Sequence, residues 1–452
     1  MSNFIVSVSG IRGVVGAGLT PEVVARFAAA FGAHRGGGTM LLSRDSRPSG
    51  EMLADAAAAG LRSAGCTVLD AGILPTPTAG LAVRARGYAG GIQITASHNP
   101  APWNGLKMFG SDGAVLTAAE GAAVEALFRS DAFARASWNR LGPRRRIYGV
   151  EKAHVERVLA VVDPERIRAA RFTVVLDGNG GAGGPAGLLL LDALGCDVLP
   201  LGCEPDGHFD HDPEPTPAHL PAVAVQARET GAPAFCLDPD ADRLALIDET
   251  GVCLSEELTL ALAVQFRLAQ EVGPVVVNMS TSRVVEDLCR QRGARFERTA
   301  VGEANVVAGM RAAGAVVGGE GNGGVIDPRI GWVRDPFVGM ALLLNHMAAT
   351  GRTLSQLAAE LPRYVIVKDK LPLARENLPD AIAALERRWP DAVANRIDGL
   401  RLDWPDRWLH LRGSNTEPIA RLIAEAPTER ETVELIAAAK AILGDLPPGM
   451  AV

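Results

Sequence analysis

Short apolar runs alternate with helical patterns rich in alanine and leucine along this chain. The run TMLL at 39–42 precedes the polar loop SRDSRPSG, the helical pattern EMLADAAAAGLRSAG and the apolar run CTVLDAG. This order predicts a βαβ unit with parallel pairing and a right-handed crossover. Before it, Thr20 and Pro21 predict the N-cap and first residue of a helix that ends in the glycines 36–38.

The same alternation returns three times farther along the chain. Strand-like runs lie at VVLD (174–177), FCLD (235–238) and VVVN (275–278), and each ends abruptly in polar residues. Ligands of open α/β sheets collect at the carboxyl ends of strands, so functional side chains are expected in these loops. The pattern predicts an α/β protein with its sites at strand ends.

Breaks in the pattern divide the chain into four segments. A length of 452 residues by itself suggests roughly three domains of about 150 residues. The arginine-rich GPRRR near residue 143, the turn at 249–251 and Leu361–Pro362 mark three junctions, however, and these give a fourth segment. The expected domains are 1–143, 144–249, 250–361 and 362–452.

Composition narrows the class of protein. Hydrophobic residues make up 48% of the chain, which is enough for a large core. The formal net charge is -7 and the one basic block is Arg144 to Arg146, which is typical of a solvated linker, so no nucleic-acid partner is expected. No apolar run is long enough to cross a bilayer and no signal-peptide pattern is present, so no membrane association and a cytoplasmic location are expected.

Cysteine usage adds a further exclusion. The six cysteines have no CxxC spacing, so neither a zinc site nor a disulfide scaffold is expected. The oligomeric state stays open at this point.

The first loop that could carry chemistry is GGIQITASHNP at 90–100. An apolar run delivers Ser97 and His98 into a loop that Pro100 keeps from continuing as a helix. A serine beside a histidine would suit a hydrolase, but the G-x-S-x-G elbow of those enzymes is absent. From the residues alone, an active site and an ordinary polar turn are both open.

The second loop, DPDADR, directly follows the apolar run FCLD. It places carboxylates at Asp238, Asp240 and Asp242. Two like charges ~4 Å apart repel by about 4 kcal/mol at an effective dielectric near 20. A hard cation such as Mg²⁺ relieves that repulsion. Arg243 occupies the position where an EF-hand needs glycine, so the calcium motif is excluded and a solvated acidic turn is the alternative.

Two more loops offer polar groups among small residues. AVVGGEGNGG at 315–324 surrounds Glu320 and Asn322 with glycines, which let the backbone approach a ligand closely. LRGSNTEPIAR at 411–421 combines guanidinium, hydroxyl and amide groups in a pattern that suits a phosphate, with a capped turn as the alternative. No G-x-x-x-x-G-K-S/T motif is present, which argues against a nucleoside triphosphatase.

Two cations outside these loops extend the set. Arg12 lies between glycines in SGIRG, and Lys107 follows the serine loop in WNGLK. Each alone is typical of a protein surface. Together with the loops, they would complete a cationic cleft for a doubly charged substrate.

Taken in order, SGIRG, TASHNP, DPDADR, GEGNGG and RGSNTEP resemble the α-D-phosphohexomutase superfamily over essentially the whole chain. The pair TASHNP and DPDADR is highly specific to that superfamily. The resemblance implies an α/β fold with four domains. Three are related α/β domains with mixed sheets, and the fourth is a smaller α+β domain that closes over the substrate.

The resemblance also implies an activity. It is that of a phosphohexomutase, which interconverts hexose 6-phosphate and hexose 1-phosphate through a phosphoserine and a bisphosphate intermediate, with a sugar bisphosphate as activator. Phosphoryl transfer depends on positioning and on positive charge, which agrees with such a site. The implied residues are Ser97, Arg12, His98, Lys107 and Arg243 in catalysis; Ser97, Asp238, Asp240 and Asp242 for one Mg²⁺; Glu320 and Asn322 for the sugar; and Arg412, Ser414, Asn415, Thr416 and Arg421 for the phosphate.

One departure from the family pattern bears on the sugar. Members directed to mannose or glucose commonly read GE-x-S-G-H, whereas Asn322 replaces the serine and Gly324 the histidine here. Loss of that histidine is expected to remove a cation from the pocket and to favour the ammonium group of glucosamine. GEGNGG and VGEANV (301–306) also resemble members assigned to glucosamine phosphate.

Glucosamine 6-phosphate is therefore the expected substrate. A phosphomannomutase/phosphoglucomutase is the alternative. A sugar phosphatase and a non-catalytic sugar-phosphate binding protein are more remote alternatives.

Overall fold

The computed structural model describes residues 4–7, 10–413 and 419–444. Four β-sheets follow one another along these parts of the chain. The first three sheets are mixed and the fourth is antiparallel, and each has helices packed against it. The chain thus forms four successive units, one for each sheet.

The first unit is built on a seven-stranded sheet. Its strands are β1 (Phe4–Ser7), β2 (Gly10–Val14), β3 (Thr39–Arg44), β4 (Thr67–Ile73), β5 (Gly90–Ile94), β6 (Trp103–Phe109) and β7 (Arg144–Arg146). Its helices are α1 (Pro21–His34), α2 (Gly50–Ser63), α3 (Thr76–Ala85) and α4 (Ala118–Ser130). The strand order is β1-β2-β6-β5-β3-β4-β7, in which β3 is parallel to β4 and β5, and β2 and β6 are antiparallel to their neighbours.

The local signals in the sequence account for the start of this unit. Thr20 is the N-cap of α1, its side chain accepts a hydrogen bond from the Val23 N–H, and Pro21 is the first helical residue. The parallel pairing of β3 and β4 across α2 confirms the predicted βαβ unit. Phe27 and Phe31 of α1 lie in the hydrophobic core of this unit.

The three consecutive arginines form an edge strand, which corrects the expected solvated linker. Strand β7 pairs in parallel with β4. Arg144 donates hydrogen bonds to Asp70 Oδ2 at 2.7 Å and to Asp55 Oδ1 at 2.6 Å, so its charge is paired. The first sheet therefore extends past residue 143, and the domain boundaries themselves stay predictions.

Helices α5 (Val150–Leu159) and α6 (Pro164–Ala170) lead to the second unit. This unit contains β8 (Thr173–Asp177), α7 (Gly184–Ala193), β9 (Asp197–Leu201), α8 (Pro221–Thr230), β10 (Ala234–Leu237) and β11 (Leu244–Ile247). The strand order is β11-β10-β8-β9, with β11 antiparallel to the rest. The aspartate loop joins β10 to β11.

The third unit repeats this layout. It contains α9 (Glu256–Gln270), β12 (Val275–Asn278), α10 (Arg283–Arg292), β13 (Phe296–Thr299), α11 (Glu303–Ala313), β14 (Val317–Glu320), β15 (Gly324–Ile326), α12 (Pro336–Thr350) and α13 (Leu354–Ala359). The strand order is β13-β12-β14-β15, again with one antiparallel strand at the edge. The predicted sugar loop is the turn between β14 and β15.

The fourth unit is smaller and antiparallel. It contains β16 (Val365–Pro372), a 3₁₀ turn (Arg375–Asn377), α14 (Leu378–Arg388), β17 (Val393–Asn395), β18 (Leu400–Asp403), β19 (Trp408–Gly413), β20 (Ile419–Ala426) and α15 (Glu429–Gly444). The strand order is β16-β20-β19-β18-β17. Three mixed α/β units and a smaller α+β unit confirm the predicted fold class.

The hydrophobic cores show which units are joined firmly. Leu176 and Phe235 of the second unit share one continuous core with Val277 and Phe337 of the third, whereas the fourth unit has a separate core. All six cysteines are free, and Cys66, Cys203, Cys236 and Cys289 are buried. None of the helices that the structure describes is long and apolar enough to cross a membrane.

Candidate active site

Residues from all four units line one cavity of about 420 Å³. Ser97 and the three aspartates are buried beside it, where Lys107 contacts two of the aspartates. Ser414, Asn415 and Thr416 lie outside the described residues. The predicted residues that line the cavity are Arg12, His98, Lys107, Arg243, Glu320, Asn322, Arg412 and Arg421.

The serine loop follows β5 and points Ser97 at the aspartates. Ser97 has a φ of 51°, a left-handed conformation that is uncommon for residues other than glycine and concentrates at functional sites. Its N–H donates to Thr95 Oγ1 at 2.8 Å and its Oγ donates to Asp238 Oδ2 at 3.1 Å. His98 Nδ1 lies 3.3 Å from Ser97 Oγ.

A buried arginine stabilises this conformation by hydrogen bonds to the backbone of the serine loop. Arg47, which is 0% exposed, donates 2.6 Å hydrogen bonds to the carbonyls of Ser97 and Asn99. Asp45 pairs with Arg47 Nε at 3.1 Å and accepts from Thr95 Oγ1 at 2.7 Å. Sequence reasoning treated SRDSRPSG as a plain loop and missed this support. The available signal was the alternation of arginine and aspartate in this segment, directly after the apolar run TMLL.

The aspartate loop is equally constrained. Ala241 has a φ of 51°, and Asp238 Oδ1 accepts hydrogen bonds from the N–H groups of Asp242 and Arg243, both at 3.0 Å. One carboxylate oxygen from each aspartate lies within 4.8 Å of the others. Thr76 of α3 donates through Oγ1 to Asp240 Oδ2 at 2.7 Å, so the first unit contacts this loop directly.

The chemistry of the aspartates fits a hard cation. Lys107 Nζ binds Asp240 Oδ2 at 2.8 Å and Asp242 Oδ2 at 2.7 Å. Their Oδ1 atoms are buried and have no hydrogen-bond partner within the described chain. Buried carboxylate oxygens are costly without a partner, and oxygen atoms are the ligands that Mg²⁺ prefers. This cluster could therefore bind a divalent metal.

Burial and mutual repulsion set the ionisation of this cluster. Burial and the charges of Asp240 and Asp242 raise the pKa of Asp238 well above its usual range. Burial also opposes the charged form of Asp242, but the cations of Arg334 and Lys107 outweigh it and lower its pKa. Burial opposes the cation of Lys107 too, yet Asp240 and Asp242 raise its pKa.

His98 is electrically neutral in this setting. Burial and the nearby cations of Arg243 and Arg12 lower its pKa to about 2. Arg12 donates to Asn99 Oδ1 at 3.4 Å, and Arg243 lies 3.6 Å from Glu214 Oε1. The cations that face the cavity thus include the two arginines predicted from the sequence, while the histidine adds no charge.

Glu320 is held at the end of β14 by three donors. Its Oε1 accepts from Asn278 Nδ2 at 2.8 Å and from the Gly302 N–H at 3.1 Å. Its Oε2 accepts from Arg334 Nη1 at 2.9 Å. The Oδ1 atom of the neighbouring Asn322 is buried and has no partner in the described chain, so it can accept a hydrogen bond from a ligand.

Arg334 overturns one expectation about this loop. Gly324 was expected to leave the pocket without the cation that a histidine would supply. A Cβ at Gly324 would overlap Arg334 Cδ, so the arginine side chain occupies that space and brings a guanidinium to Glu320. The pocket therefore keeps a cation there, and its source lies ten residues beyond the loop.

Two other residues at this loop were not predicted. A Cβ at Gly321 would overlap the carboxylate of Glu257, which explains a glycine at that position. Lys368 of the fourth unit binds Glu257 Oε1 at 3.1 Å and approaches the Gly321 carbonyl at 3.4 Å. The fourth unit thus contacts the loop that carries Glu320.

Arg412 and Arg421 lie on β19 and β20, directly opposite each other in the antiparallel register. Both line the cavity. Like charges directly opposite each other on neighbouring strands are destabilising, and an anion between them relieves this repulsion. Arg412 Nε also lies 3.2 Å from Asp398 Oδ2. This edge of the cavity is suited to an anionic group.

Comparisons with known proteins agree with this fold and show the family of the chain. Residues 4–135, 152–251 and 255–364 match domains I, II and III of the phosphoglucomutase/phosphomannomutase family, each described as an alpha/beta/alpha domain. The probable phosphoglucosamine mutase of Methanopyrus kandleri is 35% identical, with 94% of this chain and 95% of that protein covered. The phosphoglucomutase/phosphomannomutase of Thermococcus kodakarensis is 36% identical, with 94% and 95% covered.

The structural match has the same extent. A phosphoglucomutase/phosphomannomutase family protein from Burkholderia thailandensis superimposes with a TM-score of 0.86 and 28% identity, covering 98% of this chain and 99% of that one. The chain belongs to the phosphoglucomutase/phosphomannomutase family of α-D-phosphohexomutases. Within that family it is a hexose phosphate mutase, an isomerase that moves a phosphoryl group between positions of a sugar.

Proposed function

We propose that Ser97 carries the phosphoryl group in this reaction. The observation that carries the proposal is the 3.1 Å hydrogen bond from Ser97 Oγ to Asp238 Oδ2. This bond places Ser97, which lies in a strained loop at the end of β5, in contact with the cluster of aspartates. The cluster lies beside a cavity that is lined by cations. Lys107 and Arg243 line that cavity and would supply the positive charge that phosphoryl transfer requires.

The exchange has two steps. A hydroxyl of the hexose monophosphate attacks phosphorus, the new O–P bond forms and the Ser97 Oγ–P bond breaks. The hydroxyl proton passes to a base, and Ser97 Oγ takes up a proton as it leaves. The resulting hexose bisphosphate turns end for end. Ser97 Oγ then loses its proton to a base and attacks the other phosphoryl group, the O–P bond to the sugar breaks, and the sugar oxygen takes up a proton. A sugar bisphosphate from solution can start the cycle by phosphorylating Ser97, and thus acts as activator.

The residues around Ser97 divide the remaining tasks. Lys107, Arg243 and Arg12 neutralise the charge that spreads over the phosphoryl oxygens in the transition state. His98, with Nδ1 at 3.3 Å from Ser97 Oγ, is placed to contact the phosphoryl group as a neutral hydrogen-bonding partner. The support given by Arg47 and Thr95 keeps Ser97 Oγ in its position toward the aspartates.

One Mg²⁺ would be held by Ser97, Asp238, Asp240 and Asp242. The unpartnered Oδ1 atoms of Asp240 and Asp242 support this assignment. When bound, the ion supplies positive charge to the phosphoryl oxygens. The aspartates themselves orient Lys107, since its ammonium group binds the Oδ2 atoms of two of them.

The second phosphate of the substrate is assigned to the fourth unit. Arg412 and Arg421 face each other across β19 and β20 at the cavity edge, which supports a phosphate between them. Ser414, Asn415 and Thr416 follow Arg412 in the sequence and lie outside the described residues, and they are proposed to add hydroxyl and amide donors. Either end of the sugar must fit this grip, because the bisphosphate turns over between steps.

We infer that the sugar is glucosamine, so that the reaction converts glucosamine 6-phosphate to glucosamine 1-phosphate. The names of several relatives support this, and so does the carboxylate of Glu320, which can attract the ammonium group of glucosamine. Asn322 Oδ1 can accept a hydrogen bond from an amine or from a hydroxyl, so it does not choose between the sugars. Arg334 offsets part of the charge of Glu320, so the preference is expected to be moderate. A phosphomannomutase/phosphoglucomutase is the competing assignment, because one relative bears that name.

Coupled assays with one preparation of phosphorylated enzyme test the sugar. We expect kcat/KM for glucosamine phosphate to exceed the values for glucose and mannose phosphates by at least about tenfold, which is the effect of one charged hydrogen bond. Equal or faster turnover of glucose or mannose phosphate would favour the competing assignment. Release of inorganic phosphate without isomerisation would instead indicate a phosphatase.

A further inference from the structure

We propose that Arg334 is a positioning residue that links the aspartate loop to the sugar loop, and that it sets the preference for the substituent on the sugar. The proposal rests on the proposed roles of Asp242 and Glu320. Arg334 lies eight residues after β15, outside every motif that the sequence singles out.

One guanidinium group joins three segments. Arg334 Nη2 donates to Asp242 Oδ2 at 2.6 Å and Nη1 donates to Glu320 Oε2 at 2.9 Å. Its Nε lies 3.5 Å from Glu303 Oε2, and its backbone N–H donates to Glu303 Oε1 at 2.8 Å. The side chain is buried, at 9% exposure. A planar guanidinium presents its donors in a rigid fork and so fixes the orientation of the carboxylates it binds, whereas an ammonium group is a point charge on a flexible stem.

This bridge fixes both partners at once. Glu320 Oε1 is already bound by Asn278 and the Gly302 N–H, so the bond from Arg334 to Oε2 completes the restraint on its carboxylate. Asp242 shares its Oδ2 atom between Lys107 and Arg334. A shift of the Glu320 carboxylate would therefore move Arg334 and, through Asp242, the aspartate loop that faces Ser97.

The bridge also tunes charge. Arg334 neutralises Glu320, and this lowers the attraction of the pocket for an ammonium group on the sugar. Removal of the guanidinium would leave Glu320 with an unpaired negative charge. The value of kcat/KM should then fall less for a charged amino sugar than for a neutral sugar, although the loss of alignment lowers kcat for both. A fall in kcat for all the sugars together with a rise in the preference for the amino sugar is therefore specific to the proposed role.

The backbone next to Arg334 is held in place by a residue of α5, which is bound in turn by α3 of the first unit. Asp335 caps α12 and accepts a hydrogen bond from His154 Nε2 at 2.9 Å. Nδ1 of His154 is 2.8 Å from Thr78 Oγ1, so it accepts from this hydroxyl. The anchor keeps Arg334 in place without touching the cavity that binds the sugar.

The test compares Arg334→Gln and Arg334→Lys with wild type on glucosamine, glucose and mannose phosphates. We expect Arg334→Gln to lower kcat for all three by at least about tenfold. We also expect its ratio of kcat/KM for glucosamine phosphate over glucose phosphate to rise by about threefold or more. Arg334→Lys should restore the ratio toward wild type while kcat stays reduced, because an ammonium group keeps the charge but not the bridge.

Arg329→Gln is the matched control. Arg329 lies on the same segment and pairs with the buried Asp327 at 2.6 Å, away from the cavity. Its variant should keep both kcat and the selectivity ratio. Thermal unfolding of each variant separates loss of folding from loss of alignment. If Arg334→Gln does not fold, Arg334→Lys decides the question through its kcat.

Two results would overturn the proposal. One is an Arg334→Gln enzyme that loses activity equally on all three sugars with an unchanged ratio. The other is an Arg334→Lys enzyme with wild-type kcat and ratio. Both leave the proposed function intact, since wild-type mutase activity and phosphorylation of Ser97 are measured in the same experiment. Wild-type protein that isomerises none of the three sugars would contradict the proposed function instead.

Discussion

Ser97 Oγ and Asp238 Oδ2 are joined by a hydrogen bond across 141 positions of the chain. Ser97 follows β5 in the first unit and Asp238 follows β10 in the second, so the two strands end at the same place. Thr76 adds a second contact between these units by binding Asp240. The proposed reacting centre therefore exists only when the first and second units are docked.

The first prediction concerns this pair. We expect Ser97→Ala to lose mutase activity by at least about 10³-fold, because no other group can carry the phosphoryl. After incubation with a sugar bisphosphate, intact mass should show one added phosphate on wild type and none on the variant. Ser63→Ala is the control, since Ser63 only binds the Gly60 carbonyl on α2. Near-full turnover by Ser97→Ala would contradict this account of the chemistry.

The second prediction concerns the metal. Asp240→Asn should reduce kcat by about 10²–10³-fold, since it removes a negative charge that holds a cation and Lys107 at the reacting centre. Chelation should abolish wild-type activity and Mg²⁺ should restore it. Asp248→Asn is the control, because Asp248 caps a turn at Thr250 outside the cavity. Full activity in excess chelator would remove the metal from the mechanism.

The main loops could be predicted from the sequence because their signal is local. TASHNP and DPDADR each follow an apolar run directly, and strand ends in α/β sheets position their loops for ligands. The N-cap at Thr20 was predictable for the same reason, since a cap depends on residues three positions apart. The fold class followed from the repeated alternation of strand and helix patterns.

The supporting residues could not be predicted because their partners are distant in sequence. Arg334 binds Asp242 across 92 positions, and Thr76 binds Asp240 across 164. Neither residue stands in a pattern that indicates its partner. The expectation that the pocket has no cation at Gly324 was wrong for this reason. A glycine in the sequence indicates free space beside the backbone, but it does not indicate which side chain fills that space.

The third prediction concerns the phosphate grip. Arg412→Ala should raise KM and also lower kcat for both sugar 1- and 6-phosphates, because binding of the distant phosphate holds the reacting end in place. One charged hydrogen bond corresponds to about ten- to hundredfold in kcat/KM. Arg407→Ala is the control, because Arg407 lies in the same unit but pairs with Asp406 and Glu431. An unchanged KM for both substrates would place the phosphate site elsewhere.

The fourth prediction uses the buried carboxyl of Glu257, which is 2% exposed and lies against the sugar loop. Burial raises its pKa to about 7 from an ordinary value of 4.5, although Lys368 opposes the shift. Between those two values the folded protein keeps a proton that the unfolded chain has released. Folding stability contributed by this group therefore falls as pH rises through that window and is constant above about pH 7.

Glu257→Gln removes this titration, so the variant should gain free energy of unfolding relative to wild type as pH rises from 5 to 8. The expected gain is on the order of 1–3 kcal/mol, because each unit of pKa shift corresponds to about 1.4 kcal/mol. Urea unfolding of both proteins at matched pH values measures it, and all other titrating groups cancel in the difference. Glu125→Gln, which removes a partly exposed carboxylate paired with Arg129 on α4, is the matched control for the change of charge. A flat difference for Glu257→Gln would show that this carboxyl is already ionised near pH 5, with Lys368 outweighing its burial.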